Sequence, residues 1–279
     1  MKVMILGASG LLGKELMREW SGDEVVGLSS VDVDIRDAKK VHEVVVEMVR
    51  PEWIVLAAAY TNVDECESHP DLAFAVNRDG AVNVAKVAKR AGARLLFLST
   101  DYVFDGKKTS PYEAGDARSP QSVYGLSKAE AEARLQEVLP ECCIARTSWL
   151  FGTGGKCFPD TILKLAASRP TLDVVNDQRG SPTYSVDLAR AIIQLCRKGA
   201  SGIVHVTNAG DCSWFEFARE IVKDSGLTTE VRPVSSQQMA RPAPRPAYSI
   251  LSSASLQRWG VVMPEWRDAL LRYLHERQG

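Results

Sequence analysis

A tyrosine and a lysine four residues apart, Tyr124 and Lys128, are the pair in this sequence best suited to acid–base chemistry. On a helix this spacing places two side chains on one face, one turn apart. A free phenol has a pKa of about 10, and a nearby ammonium stabilises the phenolate and lowers that pKa. We therefore predict that Lys128 lowers the pKa of Tyr124 and makes its hydroxyl a proton donor near neutral pH.

The Tyr/Lys spacing alone is common on helix surfaces, so it needs support from another segment. Ser99 and Thr100 supply that support, because they end an apolar run that begins at Arg94 and has the composition of a strand. Ligands of open α/β sheets bind at the carboxyl ends of strands. We expect Thr100 to hydrogen-bond the same substrate oxygen as Tyr124, and Lys128 to hold the cofactor as well.

Three glycines, Gly7, Gly10 and Gly13, follow the first predicted strand and open the first predicted helix. In that position the first glycine allows a tight turn, the second lets the backbone approach a pyrophosphate, and the third lets helix and strand pack closely. The phosphates would lie at the helix N-terminus. Glycines also mark other strand-to-helix turns, so it is the placement of the pattern that predicts a dinucleotide site.

The residues after the second and third predicted strands bear on which dinucleotide binds. The second strand ends in Ser29 and Ser30, whose hydroxyls can donate to a 2′-phosphate without repelling it, and this favours NADPH. Asp32 and Asp34 follow and can serve the ribose of NADH instead, so NADH stays open as the alternative. The small residues Ala57–Ala59 after the third strand would let a cofactor lie against the backbone, although a tightly packed loop explains them equally well.

Short β-rich runs alternate with helical patterns through the first half of the chain, which is typical of βαβ units and a parallel sheet. We predict an α/β fold: a Rossmann-type doubly wound parallel sheet with a smaller C-terminal substrate-binding region. The NAD(P)-binding domain is expected over residues 1–148 and the substrate-binding region over 149–279, with 174–198 returning to the first domain. The predicted strands of the sheet are Lys2 to Leu6, Glu24 to Leu28, Trp53 to Leu56, Arg94 to Ser99 and Glu141 to Thr147. The predicted helices are Leu11 to Trp20, Ala38 to Met48, Leu72 to Arg90, Tyr124 to Leu139, Val186 to Arg197, Trp214 to Lys223 and Trp266 to His275.

The composition argues against several classes of protein. The formal net charge of -1 gives no reason to expect nucleic acid or an anionic membrane as a partner. No stretch approaches the roughly 20 apolar residues that span a bilayer, so we expect a cytoplasmic protein. The six cysteines form no C-x-x-C pair and have no histidine at zinc-site spacing, which predicts reduced, mostly buried thiols and no metal site.

Taken together, these motifs resemble those of the extended short-chain dehydrogenases, and within that group those of the dTDP-4-dehydrorhamnose reductases. The glycine pattern and the Tyr/Lys pair belong to the whole superfamily. Three other strings are much narrower: S-T-D-Y-V-F from Ser99, R-T-S-W from Arg146 and N-D-Q-R-G-S-P-T from Asn176. The resemblance runs over nearly the whole chain.

The resemblance implies that Thr100, Tyr124 and Lys128 are the catalytic set. It implies a reaction in which NADPH reduces the 4-keto group of dTDP-4-dehydro-β-L-rhamnose to give dTDP-L-rhamnose, and it leaves a homodimer open. The cofactor-binding residues are expected to be Gly7, Ser9, Gly10, Leu11, Leu12, Gly13, Ser29, Ser30, Asp34, Ile35, Ala57, Ala58, Ala59, Tyr60, Tyr124 and Lys128. The substrate-binding residues are expected to be Thr61, Val63, Thr100, Asp101, Tyr102 and Trp149. To these we add, as our own hypothesis, a bidentate contact from Arg245 to the substrate diphosphate.

Three alternatives share the fold and the main motifs. A 4,6-dehydratase needs an extra acid–base pair beside the threonine, but Thr100 is followed by Asp101 and Tyr102, so the second carboxylate is missing. A reductase or epimerase of another nucleotide sugar has the same glycine and Tyr/Lys motifs. A non-catalytic subunit that binds NADP and serves a partner enzyme is the alternative from another class, because a fold does not settle function.

Overall fold

The computed structural model describes residues 1–277, and its central feature is a six-stranded parallel sheet. The strands of the chain are β1 (Lys2–Leu6), β2 (Glu24–Leu28), β3 (Trp53–Leu56), β4 (Arg94–Thr100), β5 (Cys143–Thr147), β6 (Leu150–Phe151), β7 (Thr171–Val175), β8 (Arg179–Gly180), β9 (Thr183–Tyr184), β10 (Gly202–His205), β11 (Cys212–Ser213) and β12 (Glu230–Val234). The strand order in the large sheet is β10-β5-β4-β3-β1-β2. The chain leaves β1 for β2 on one side and returns to β3 on the other, so the topological switch point lies between β1 and β3, where ligands of such sheets bind.

The central strands are apolar on both faces because helices cover both. Val3 and Ile5 of β1 belong to the core on one side of the sheet, whereas Met4 and Leu6 belong to the core on the other. All four side chains are at most 1% exposed. Burial on both faces is what a parallel sheet in an α/β protein requires, and it confirms the predicted fold class.

The helices are α1 (Leu11–Glu19), α2 (Ala38–His42), α3 (Val63–Ser68), α4 (Pro70–Phe74), α5 (Ala81–Ala91), α6 (Val123–Val138), α7 (Phe158–Ala166), α8 (Ser185–Arg197), α9 (Trp214–Asp224), α10 (Ala254–Gln257) and α11 (Trp266–Glu276). A π-helical stretch, Glu43–Val49, continues α2, and another, Ala75–Gly80, joins α4 to α5. The predicted helix from Leu72 to Arg90 therefore corresponds to a continuous helical segment. The other predicted helices and the strands of the sheet are confirmed to within two residues at most ends.

A third apolar core lies outside the large sheet. It gathers buried residues of α7, α9 and α11 with the two-stranded pair of β7 and β12. By contrast, α8 packs against α1, and β10 pairs with β5 at the edge of the large sheet. We therefore propose that the segment returning to the cofactor-binding layer runs from Ser185 to His205, later than the 174–198 expected from the sequence, because the strand at Val174 pairs with β12 instead.

Within residues 1–277, no helix is long and apolar enough to cross a membrane. The six cysteines are free and buried, which confirms the prediction for the thiols. The same part of the chain contains no cluster of three or more His, Cys, Asp or Glu side chains that could hold a metal ion.

Candidate active site

The turn after β1 is shaped for a phosphate and needs glycine at two positions. Gly7 has a φ of 97°, and a Cβ there would lie 2.6 Å from the backbone nitrogen of Ala58. A Cβ at Gly13 would lie 2.1 Å from the carbonyl oxygen of Gly7. At Gly10, however, a Cβ would meet only that oxygen, at 3.3 Å, so this stretch of backbone faces open space. No side chain of the described chain caps α1 there, and the N–H groups of its first turn fit a dinucleotide pyrophosphate.

A cleft of about 500 Å³ opens from this turn across the switch point. It collects ten of the residues predicted to bind the cofactor: Gly7, Ser9, Gly10, Ser29, Ser30, Asp34, Ile35, Ala57, Ala58 and Ala59. The remaining predicted residues, Leu11, Leu12, Gly13, Tyr60, Tyr124 and Lys128, do not line it. Leu12 is a core residue, and the hydroxyl of Tyr60 donates to Glu65 at 2.8 Å. These two side chains are therefore engaged elsewhere, and only their backbone could serve a ligand.

The end of β2 differs from what the sequence suggested. Both the N–H and the hydroxyl of Ser29 donate to the carboxylate of Asp32, at 2.8 and 2.7 Å, so that hydroxyl is not free for a 2′-phosphate. Ser30 is exposed at the rim of the cleft. Sequence reasoning missed Arg36, which lines the cleft and binds Asp34 through two nitrogens, at 3.0 and 2.6 Å. Its guanidinium is the cation beside the predicted adenosine end of the cleft, and the signal for it was a basic residue directly after Asp34 and Ile35.

The local structure of α6 places Tyr124 next to the end of β4. Ser122 caps the helix by accepting a hydrogen bond from the N–H of Gly125 at 3.1 Å. Gly125 lets the helix approach the turn after β4, since a Cβ there would lie 2.2 Å from the carbonyl oxygen of Tyr102. The rings of Tyr102 and Tyr124 meet edge to face, with centroids 5.7 Å apart. The structure thus brings together Thr100, Tyr102 and Tyr124, as the sequence predicted.

Burial has the largest effect on the pKa of Tyr124. Desolvation raises its pKa well above the ordinary value, and the polar hydroxyl of Thr100 only partly offsets that effect. The next contributions, from Asp101 and Tyr102, raise it further. The prediction that Lys128 lowers the pKa of Tyr124 is wrong for this structure, because burial of the hydroxyl dominates and Lys128 is not among the groups that shift this pKa. A protonated phenol is the form that the site favours.

Lys128 lies one turn further along α6 and is buried. Its Nζ donates to the carbonyl oxygen of Leu98 at 2.5 Å and lies 3.9 Å from the centre of the Phe97 ring. Burial lowers the pKa of Lys128 to about 7, and Glu132 opposes that shift. Near neutral pH this side chain therefore exchanges between ammonium and amine, which reduces the charge available to act on Tyr124.

Behind Lys128 lies a buried polar network that sequence reasoning missed. Glu132 accepts hydrogen bonds from Nε and Nη2 of Arg146, at 2.9 and 2.6 Å, and one from Ser99 at 2.5 Å. Burial alone would raise the pKa of Glu132, but the Arg146 guanidinium outweighs it and keeps the pKa low. Arg146 also contacts Nε2 of His205 at 3.3 Å. The network fixes the end of β4 against α6 and places a carboxylate one turn beyond Lys128.

Asp101 is buried beside the predicted catalytic threonine. The hydroxyl of Thr100 donates to Asp101 at 3.0 Å, and its oxygen accepts from the N–H of Tyr102 at 3.2 Å. Burial raises the pKa of Asp101 to about 6. Thr100 is therefore held in one orientation from two sides.

A larger cavity of about 700 Å³ lies between α7, β7 and the segment 236–245. One wall is aromatic, because Trp214 and Phe158 line it, and Trp149 stacks on Trp214 with ring centroids 3.5 Å apart. Trp149 has a φ of 45° and packs over Gly180. The sequence predicted Trp149 but not Trp214, because no local pattern indicates that residues 65 positions apart will stack.

Of all the residues predicted to bind substrate, Trp149 included, only Arg245 itself lines this cavity. Thr61 is exposed and Val63 is half-buried at the start of α3. The sequence predicts a guanidinium at Arg245 that is free to bind a diphosphate. In the structure it is engaged, because its two terminal nitrogens bind the carboxylate of Asp64 at 3.1 and 2.9 Å. Burial raises the pKa of Tyr102, and the charges of Asp64 and Arg245 act on it in opposite directions.

Comparison with known proteins agrees with this architecture. The family model of the RmlD substrate binding domain matches residues 1–278. The chain is 42% identical to the spore coat polysaccharide biosynthesis protein SpsK of Bacillus subtilis (strain 168), over 99% of this chain and 98% of that protein. It is 39% identical to the dTDP-4-dehydrorhamnose reductase of Mycobacterium tuberculosis (strain ATCC 25618 / H37Rv), over 96% of this chain and 91% of that protein.

A solved structure of a relative also matches this chain in fold and sequence. The dTDP-4-dehydrorhamnose reductase from Bacillus anthracis str. Ames, crystallised in complex with NADP, superposes with a TM-score of 0.96 at 39% sequence identity. The match covers 99% of this chain and 100% of that one. Sequence, family model and structure agree over almost the full length, and the chain therefore belongs to the RmlD family of dTDP-4-dehydrorhamnose reductases.

Proposed function

We propose that this protein reduces the 4-keto group of dTDP-4-dehydro-β-L-rhamnose to the alcohol of dTDP-L-rhamnose. The observation that carries the proposal is the packing of Tyr124 against the turn at the carboxyl end of β4, where its ring meets that of Tyr102 two residues after Thr100, with Lys128 one turn behind. Bound NADPH would supply the hydride to the C4 carbon. The chain must then supply one proton to the C4 oxygen, and Tyr124 is placed to give it.

The protonation states support these roles. The raised pKa of Tyr124 keeps the phenol protonated before reaction, as a proton donor must be. The same burial makes the resulting phenolate costly, so a cation on the same helix face becomes useful as the proton leaves. Lys128 is that cation, and with a pKa of about 7 it can also pass on a proton near neutral pH. Thr100 orients the substrate oxygen towards the phenol when its hydroxyl, which otherwise donates to Asp101, turns to that oxygen.

The cleft residues support a nicotinamide dinucleotide as the cofactor. Gly7, Gly10 and the first turn of α1 would hold the pyrophosphate. NADPH is the cofactor that we propose, and NADH stays the alternative donor. Arg36 supports NADPH because a guanidinium can pair with a 2′-phosphate, whereas Asp32 and Asp34 at the same end can serve a ribose hydroxyl.

The test is a panel of 4-keto nucleotide sugars, each incubated with NADPH and separately with NADH. The proposal predicts that NADPH absorbance falls in proportion to product and that dTDP-4-dehydro-β-L-rhamnose is reduced with the highest kcat/KM. Another keto sugar with a higher kcat/KM would reassign the substrate. Conversion without net loss of NADPH would indicate an epimerase, and no turnover on any sugar would indicate a binding subunit.

The proposal extends to assembly and location. We propose a cytoplasmic enzyme that acts as a homodimer or a monomer, and sedimentation of the purified chain decides between the two. The formal net charge of -1 supports the absence of a nucleic-acid partner.

A further inference from the structure

Two arginines that line the 700 Å³ cavity pair with one carboxylate of helix α3. Arg245 binds both oxygens of Asp64, at 3.1 and 2.9 Å, and Arg241 lies 3.6 Å from the same carboxylate. Arg241 is 57% exposed and Asp64 is 27% exposed, so water and a ligand can reach the group. Both arginines line the cavity, whereas Asp64 belongs to α3 beside the cofactor-binding layer.

The same carboxylate also holds the backbone of this segment. Asp64 accepts a hydrogen bond from the N–H of Ala243 at 3.2 Å, and Arg245 donates to the carbonyl oxygen of Ala243 at 2.9 Å. The group therefore ties the 241–245 segment to α3. Helix α3 also packs against the start of α6, where the N–H of Val123 donates to Glu67 at 2.8 Å, so the group joins the cavity segment to the helix that carries Tyr124.

A guanidinium fork that holds a carboxylate through two nitrogens fits a phosphate in the same way. If the proposed substrate is correct, its diphosphate is an anion that must lie between a nucleoside and a sugar. The large aromatic cavity suits the nucleoside, and Tyr124 acts on the sugar. Arg241 and Arg245 are the two cations of the described chain that line this cavity, but Asp64 already holds both terminal nitrogens of Arg245.

We propose that Asp64 is an internal counter-ion of the diphosphate site, which gives up Arg245 to a phosphate group when substrate binds. This proposal rests on the proposed function. It makes Asp64 a residue that limits affinity for the nucleotide, because the carboxylate competes for the guanidinium and also repels the incoming anion. Without Asp64 the local charge of the group rises from +1 to +2, so binding of an anion becomes tighter and more sensitive to salt.

The test compares Asp64→Asn with wild type in calorimetric titrations with dTDP, at low and at high ionic strength. Asparagine keeps the size of the side chain and can still accept hydrogen bonds from Ala243 and Arg245. Because an exposed ion pair is a weak competitor, we expect the Kd for dTDP to fall by about threefold to fivefold at low salt, with a steeper salt dependence. The Kd for thymidine, which has no phosphate, should not change.

Asp71→Asn is the matched control, since it removes one exposed carboxylate from the adjacent helix α4 without touching either arginine. Its Kd for dTDP should equal that of wild type. Weaker binding of dTDP by Asp64→Asn would show that Asp64 only holds the 241–245 segment in place, and this would overturn the proposal. An unchanged Kd, or equal tightening in both variants, would overturn it as well.

Failure of the proposed function gives a different result. In that case the wild type neither binds dTDP nor turns over any 4-keto nucleotide sugar, and the proposed role of Asp64 is rejected together with the proposed function. Binding of dTDP by wild type, without tightening in Asp64→Asn, rejects the counter-ion alone.

Discussion

Replacing Gly125 by alanine should displace the proton donor while leaving the cofactor cleft intact. The added Cβ would lie 2.2 Å from the carbonyl oxygen of Tyr102, and real Cβ atoms essentially never approach closer than 3.0 Å, so the start of α6 and the turn at Tyr102 must separate by at least 0.8 Å. Tyr124 precedes Gly125 and packs on Tyr102, so its hydroxyl shifts relative to the end of β4. Misplacing a reacting group by about 1 Å costs about 10²-fold in rate. We therefore expect kcat to fall by about 10²-fold.

The assay measures kcat from NADPH oxidation with saturating dTDP-4-dehydro-β-L-rhamnose, and the Kd for NADPH from its fluorescence. The Kd should stay within about twofold of wild type, because the cofactor cleft is lined by the ends of β1, β2 and β3. Gly115→Ala is the control, since a Cβ there meets nothing within 4 Å, and it should have wild-type kcat. Wild-type kcat in Gly125→Ala would refute the reasoning. Loss of NADPH binding together with kcat would also contradict it, because the disturbance would then not be local.

Two further predictions test the cofactor turn and the buried network. Gly7→Ala should raise the Kd for NADPH by more than about tenfold, because alanine is strained at a φ of 97° and its Cβ would clash with Ala58. An unchanged Kd in fluorescence titrations would reject the proposal that this turn holds the pyrophosphate. Burial lowers the pKa of His205 from 6.5 to about 4, so the folded state binds fewer protons than the unfolded state between these values, and stability falls as pH falls through this window. Between pH 6.5 and pH 4 the free energy of unfolding should therefore fall by about 3 kcal/mol less in His205→Gln than in wild type, as measured by urea titrations. Equal losses in both proteins would show that His205 is not held neutral.

The central sheet could be predicted because each of its strands has a recognisable pattern within its own few residues. β1 and β3 are apolar runs that are buried on both faces, and the glycines after β1 can be interpreted within a single turn. The same holds for Tyr124 and Lys128, since helix geometry fixes how residues four apart relate to each other. Motifs contained in one element or one turn could therefore be placed from the sequence.

Features that depend on distant segments could not be placed in this way. Arg245 and Asp64 are 181 residues apart, so the sequence suggested a free guanidinium where the fold supplies a carboxylate. Ser29 was likewise expected to be free, but the loop after β2 turns Asp32 back onto it. The pKa of Tyr124 was predicted in the wrong direction because spacing reveals a neighbouring cation but not the loss of water around the hydroxyl.

The most direct test of the central claim is the kcat of Tyr124→Phe at saturating NADPH and dTDP-4-dehydro-β-L-rhamnose, with the Kd for NADPH measured on the same preparation. Phenylalanine keeps the ring and its edge-to-face contact with Tyr102 but cannot donate a proton. We predict an unchanged Kd and a kcat lower by about 10²-fold or more. Equal kcat in the variant and the wild type would contradict the account, because the proton would then come from another group.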